Sequence, residues 1–140
     1  MAREQIDVVG LGYVGLPLAL AFSKKHSDTI GFDVDPRKID SIRRGADPTR
    51  EGLDSALKNT TLRVTTDPSE VGKCSFIIVA VPTPVDNYHR PDMTLLKRAC
   101  ATVGKVLKPG ALVVFESTVY PSVTEEICGP ILAEASGLKQ

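Results

Sequence analysis

The sequence predicts an α/β fold: a doubly wound parallel sheet with helices on both faces, a three-layer αβα arrangement. Three observations predict it. Short apolar or β-branched runs alternate with helical patterns along the whole chain, as strand–helix–strand units require. The run Phe76-Ile77-Ile78-Val79-Ala80-Val81 has no polar alternation, as expected of a central parallel strand buried on both faces. The first strand passes through Gly10-Leu11-Gly12-Tyr13-Val14-Gly15 straight into a helical pattern.

At 140 residues the chain suits one domain, spanning 1–140, with one core of ordinary size. Hydrophobic residues are 42% and charged residues 24%, and 17 basic residues balance 17 acidic ones. That composition is soluble and globular, and its zero net charge argues against a dedicated nucleic-acid or anionic-membrane binder. No apolar run reaches the roughly 18 residues that a membrane span needs. The polar N-terminus has no signal-peptide architecture, so a cytoplasmic location is expected. Cys74, Cys100 and Cys128 are far apart, each in an apolar run, with no His at ligand spacing. They read as free, buried, structural thiols, and no metal site is expected. His26 and His89 are isolated; His26 sits beside Lys24-Lys25 at a helix end, where a cation is favourable.

The elements follow in order. Residues 6–9 form the first strand. Asp7 interrupts it, and an edge or strand-end position is expected so that its carboxylate reaches water. The first helix covers 14–25, with Pro17 in the first turn, where a missing N–H costs little. The second strand covers 29–34. Asp35-Pro36 then supplies an N-cap and a proline at N1, Ile39 and Ile42 share a face, and Gly45 stops the helix. Residues 46–60 are a polar loop with one short helix near 51–58. Residues 62–65 alternate as a short strand, Asp67 caps a one-turn helix, and the buried strand covers 74–81. Three prolines within residues 82–91 exclude a helix or central strand there, leaving a loop at the carboxyl end of a buried strand, where ligands bind in such sheets. Asp92 or Thr94 caps a helix to about 107, with Leu95, Leu96, Ala99, Val103 and Val106 as its core stripe. A second apolar strand covers 111–115. The last helix covers 123–136, bent or broken at Gly129-Pro130 and stopped by Gly137.

Each glycine of the first turn has a separate task in a phosphate-binding strand–turn–helix. Gly10 makes the tight turn, Gly12 lets backbone N–H groups approach a pyrophosphate, and Gly15 lets helix and strand pack closely. The helix N-terminus adds N–H donors and partial positive charge. Asp33 falls 18 residues after Gly15, near the offset at which such a unit places an acid on the adenosine ribose. A carboxylate there accepts from both ribose hydroxyls and repels a 2′-phosphate, so NAD is expected over NADP. Asp33 as a helix cap is the plainer alternative, but Asp35 before Pro36 fits the cap better. Arg37 reads as a solvated surface charge.

Four segments taken together, Gly10-Leu11-Gly12-Tyr13-Val14-Gly15-Leu16-Pro17, Gly31-Phe32-Asp33, Val79-Ala80-Val81-Pro82-Thr83-Pro84 and Glu116-Ser117-Thr118-Val119-Tyr120-Pro121, resemble the nucleotide-sugar dehydrogenases, the UDP-glucose/GDP-mannose dehydrogenase family. The glycine motif is widespread; the second pair, in this order and spacing, is far more specific. The last segment looks closer to the UDP-N-acetylglucosamine or UDP-N-acetylmannosamine 6-dehydrogenase branch, whose chemistry serves polysaccharide biosynthesis. The resemblance covers essentially the whole chain and implies a Rossmann-type sheet that lacks the last strand of the full domain. It implies oxidation of a UDP-sugar C6 alcohol to a carboxylate in two NAD-dependent steps, through a thiohemiacetal on a cysteine, in an enzyme that is a homo-oligomer at full length. The implied cofactor-binding set is Gly10, Leu11, Gly12, Tyr13, Val14, Gly15, Asp33, Lys38, Pro82, Thr83, Ser117 and Thr118. Tyr13 and Val14 would lie against the pyrophosphate, Lys38 beside the adenosine, and Thr83 and Thr118 on the nicotinamide side. Thr118 is the expected catalytic residue, helping to hold the reacting water.

Two departures stand against the resemblance. Ser122 replaces the glycine usual after Tyr-Pro. The family's catalytic cysteine, lysine and most sugar-binding groups have no counterpart in these residues, and none of the three cysteines matches the nucleophile's motif. The chain therefore reads as a cofactor-binding fragment of a longer enzyme, inactive alone. A stand-alone NAD-responsive regulatory module is the alternative of a different class, and a reading frame continuing into a Cys-bearing domain would exclude it. Another dehydrogenase of the same fold, of the 6-phosphogluconate or 3-hydroxyacid type, is disfavoured by Thr83 and Ser117-Thr118.

Overall fold

The computed structural model describes residues 5–116 and 123–138. Strand β1 (Ile6–Val9) leads through the glycine turn into α1 (Gly15–Lys25). Strand β2 (Ile30–Phe32) is followed by α2 (Pro36–Arg43) and a short α3 (Asp54–Lys58). Then come β3 (Arg63–Thr65), the one-turn α4 (Pro68–Val71), β4 (Phe76–Val79), α5 (Thr94–Val106) and β5 (Leu112–Phe115). A π-helical turn (Thr124–Cys128) runs directly into α6 (Gly129–Ser136).

The five strands are parallel, in the order β3-β2-β1-β4-β5. The chain winds outward on one side of β1 and then crosses to the other, so the switch point lies between β1 and β4. In register, Val8 sits between Gly31 of β2 and Ile78 of β4. Period-two alternation sends neighbouring residues to opposite faces. Ile6, Val8, Val64 and Ile78 pack against Leu16, Leu20, Ile39, Ile42 and Leu57 of α1–α3. Val9, Ile30, Phe32, Ile77 and Val79 pack against Val71 of α4, Leu96, Cys100 and Val103 of α5, and Leu132 of α6. The predicted three layers are therefore present, with helices on both faces.

Helix boundaries follow the expected local chemistry. Asp35 caps α2 by accepting from the Arg37 N–H at 2.9 Å, and Asp67 caps α4 from the Ser69 N–H at 3.0 Å. At α5 neither Asp92 nor Thr94 is the cap: Met93 holds that position without a side-chain bond, and Asp92, one residue earlier, accepts from the Thr94 N–H at 2.9 Å. Gly137 ends α6 at φ +73°, its N–H on the Ala133 carbonyl.

Two further expectations need correction, at Asp7 and at Leu95. Asp7 lies neither at an edge nor at a water-filled strand end: β1 is the central strand, and Asp7 is fully buried between Ile30 and Ile77. Among the described residues neither of its oxygens has a hydrogen-bond partner. Leu95 is not core; it is 42% exposed on the cleft side of α5, while Cys100 takes its place in the buried stripe. Strand β5 pairs on one side with β4 and is half-covered, with Leu112 exposed. At Gly129-Pro130 the helix does not break. The π turn Thr124–Cys128 runs straight into Gly129 and Pro130, so the expected irregularity is a change of helix type at that point.

Candidate cofactor site

The glycine turn divides into two kinds of glycine. Gly10 holds φ +97°, and a Cβ there would approach Val81 Cγ1 at 2.9 Å. A Cβ on Gly15 would collide with the Gly10 carbonyl. Both are demanded by the fold. Gly12 is different: a Cβ there would meet nothing within 4 Å, because it faces an open cleft. The fold itself therefore does not demand glycine at 12. Helix α1 begins without a side-chain cap; within its first turn the Leu16 N–H donates to the Gly12 carbonyl at 3.0 Å and Pro17 carries no N–H. Tyr13 and Val14 are exposed on the rim.

Asp33 follows β2 and is only 7% exposed. Its Oδ2 accepts from the Leu11 N–H at 2.9 Å and from Lys38 Nζ at 3.3 Å, and its Oδ1 accepts from the Asp35 N–H at 3.0 Å. A carboxylate offers about four lone-pair sites, so three donors leave one for a ligand hydroxyl. The Leu11 amide is thus committed to Asp33 and its side chain to the core; Leu11 borders the cleft through its backbone. Lys38 reaches the site from the first turns of α2 and balances the Asp33 charge.

The cleft has a volume of about 790 Å³ and lies at the carboxyl ends of β1, β2 and β4. It brings together Gly10, Leu11, Gly12, Tyr13, Val14, Asp33, Lys38, Pro82 and Thr83. Gly15 is buried behind the turn. Ser117, Thr118 and Ser122 lie outside the described residues. The cleft also takes in Pro48, Thr49, Leu95, Arg98, Thr102 and Glu116. Of these, Leu95, Arg98 and Thr102 show a helical spacing that the apolar pattern of α5 hides, and Pro48 and Thr49 belong to a segment with no periodicity. The proline-rich loop folds on itself: Val85 bridges Pro91, and Asp86 accepts from the N–H groups of Tyr88 and Arg90 at 2.8 and 2.9 Å. A second cavity, of about 530 Å³, lies beside the outer strand β3, away from the switch point, and none of the glycine-turn residues lines it.

The three thiols are buried away from this cleft. Burial raises all three, Cys74 to about 12 with the nearby Asp7 adding to the effect, so none is a poised nucleophile.

A Cβ-free opening, an uncapped helix N-terminus and a buried acid with one acceptor site left, all at the switch point of a parallel sheet, fit a dinucleotide. The sequence profile of the UDP-glucose/GDP-mannose dehydrogenase family, NAD binding domain, matches residues 4–140. The chain belongs to that family. It is 49% identical over 136 residues to Protein CapL of Staphylococcus aureus, covering 97% of this chain and 32% of that one. It is 47% identical over 140 residues to UDP-N-acetyl-D-glucosamine 6-dehydrogenase of Pseudomonas aeruginosa, covering 99% and 33%. In structure it superposes on UDP-D-ManNAc dehydrogenase of Pyrococcus horikoshii with a TM-score of 0.88 at 35% identity, covering 97% of this chain and 33% of that one. The chain thus spans about a third of the length of the curated relatives it matches. Within the family, what it corresponds to is the NAD-binding domain.

Proposed function

We propose that these residues are the cofactor half of a UDP-sugar 6-dehydrogenase, a cytoplasmic homo-oligomer at full length, which oxidises the sugar C6 alcohol to a carboxylate in two NAD-dependent steps. The observation that carries the reading is Asp33: buried, fastened to the glycine turn, and left with acceptor capacity towards the cleft. In this role Asp33 takes an adenosine ribose hydroxyl with its remaining acceptor site, and Lys38 steadies its carboxylate. Gly12 and the first turn of α1 receive the pyrophosphate, with Tyr13 and Val14 as its rim. Pro82 and Thr83 form the nicotinamide side, with Ser117 and Thr118 assigned there by family resemblance, Thr118 orienting the reacting water. NAD, when bound, supplies the hydride acceptor. The catalytic cysteine and most sugar-reading groups would come from further domains, so these residues alone bind cofactor without turnover.

Calorimetric titration with NAD and NADP tests the reading. NAD binding tighter than NADP is expected; the reverse order would refute the ribose role of Asp33. A reading frame that continues into a domain with a Cys-bearing motif supports the two-step oxidation, and a frame with no such domain overturns it.

A further inference from the structure

The segment between α2 and α3 shows no hydrophobic pattern, yet it is a densely bonded loop beside the cleft. Asp47 is its centre. Its Oδ1 accepts from the Thr49 N–H at 2.8 Å and the Thr49 hydroxyl at 2.6 Å; its Oδ2 accepts from the N–H groups of Glu51 at 2.8 Å and Leu53 at 3.1 Å. Its own N–H donates to Asp54 Oδ1 at 2.6 Å. Four donors on one carboxylate fill its acceptor sites, so Asp47 has no capacity left for a ligand. Burial works to raise the Asp47 carboxyl, but the bonds from Thr49, Leu53 and Glu51 outweigh it and hold it below the ordinary value. The knot also holds Arg50 at φ +58° and Gly52 at φ +78°. The loop is tied back to α2, with the Ser41 hydroxyl on the Ala46 carbonyl and the Ala46 N–H on the Ser41 carbonyl, both at 2.9 Å. That is the helix that carries Lys38. The two residues directly after Asp47, Pro48 and Thr49, line the cleft together with Asp33 and Lys38.

We propose that Asp47 is a positioning residue for the nucleotide, holding Pro48 and Thr49 as the outer wall of the adenosine end of the cleft. This rests on the reading of that cleft as the NAD site. Pro48 offers an apolar ring with little conformational freedom, a surface suited to a flat purine or its ribose. Asp47 never touches the nucleotide; it fixes the backbone that does.

The test measures NAD and ADP-ribose affinity by calorimetry, and unfolding midpoints without ligand, for the chain and for Asp47→Ala, Asp47→Asn and Pro48→Ala. ADP-ribose contains the adenosine half and lacks nicotinamide. Asp47→Ala and Pro48→Ala are expected to weaken both ligands by about tenfold, and by the same factor, because the lost contact is in the shared half. Asp47→Asn keeps an acceptor for Thr49 but sets an NH2 group against the Glu51 and Leu53 N–H donors, and is expected to recover only part of the loss. Pro48→Ala is expected to leave the unfolding midpoint in place, which separates a wall from a fold support. Wild-type affinity in Pro48→Ala overturns the inference, even if Asp47→Ala is weakened alongside a lower midpoint. If the unaltered chain binds neither ligand, the NAD reading itself falls and takes this inference with it.

Discussion

Asp33 Oδ2 lies 2.9 Å from the backbone nitrogen of Leu11, so the acid that ends β2 is fastened to the glycine turn that ends β1. The two sides of the cleft are one hydrogen-bonded unit. An acid here serves the fold and, in the proposed role, the ligand as well, so its replacement is expected to have two costs.

Asp33→Ala removes the acceptor of the Leu11 amide and the remaining lone pair offered to a ribose. It is expected to lower folding stability by about 1–3 kcal/mol, the cost of leaving a buried donor unmade, and to weaken NAD by a similar amount. Asp33→Asn keeps one acceptor oxygen and loses the charge, so stability recovers more than affinity does. Urea unfolding and calorimetry on the same three proteins check this. Equal NAD affinity in all three removes Asp33 from the site.

The glycines separate cleanly. Gly10→Ala forces an L side chain to φ +97° against Val81 and is expected to cost more than about 1 kcal/mol of stability. Gly12→Ala meets no protein atom and is expected to leave stability nearly unchanged while weakening NAD by an order of magnitude. Thermal unfolding with and without NAD distinguishes them. A Gly12→Ala protein that binds NAD normally places the pyrophosphate elsewhere.

Asp7 makes stability fall as pH rises. Burial, and then the Glu70 charge, push its carboxyl up to about 8 from an ordinary value of 3.8. The raised value means the folded protein holds a proton that the unfolded chain releases. The associated stability is present in full below about pH 4 and is lost as pH climbs towards 8, at up to roughly 1.4 kcal/mol per unit. Asp7→Asn, neutral at every pH, removes that slope. Urea midpoints at pH 5, 6.5 and 8 are expected to converge for the variant and decline for the parent; parallel curves count against a protonated Asp7.

The thiols give a simpler test. Cys74, Cys100 and Cys128 are each at most 3% exposed and their thiols are raised by burial. A disulfide reagent such as Ellman's is expected to modify none of them rapidly in the native protein and all three in denaturant. Fast native labelling of one thiol contradicts the packing described around it.

Much of this was legible in the residues. The glycine turn, the Asp35-Pro36 and Asp67-Pro68 caps and the Gly137 stop rest on local chemistry, and local chemistry is what a sequence displays. The succession of strands and helices along the chain also followed from the alternation, whereas the order of strands across the sheet did not. Asp7 was misjudged because one polar residue in a four-residue strand says nothing about which neighbours flank it. Leu95 was misjudged because its helix presents two apolar-looking faces, one to the sheet and one to the cleft. The Asp47 loop was invisible because its order comes from side-chain-to-backbone bonds, which leave no period. Of the candidate site, the turn, Asp33, Lys38 and the Pro82-Thr83 end were legible, while the Pro48-Thr49 wall was not.

Strand β1 carries Asp7 near its start and enters the nucleotide turn at Gly10. A ligand that binds only the folded state adds to stability as the logarithm of one plus its concentration over its dissociation constant. As pH rises and Asp7 draws down the intrinsic margin, a growing share of the folded population is sustained by bound nucleotide. Proton and cofactor thus act on a common account at opposite ends of four residues: in alkaline solution NAD is a folding partner of this domain as well as its ligand.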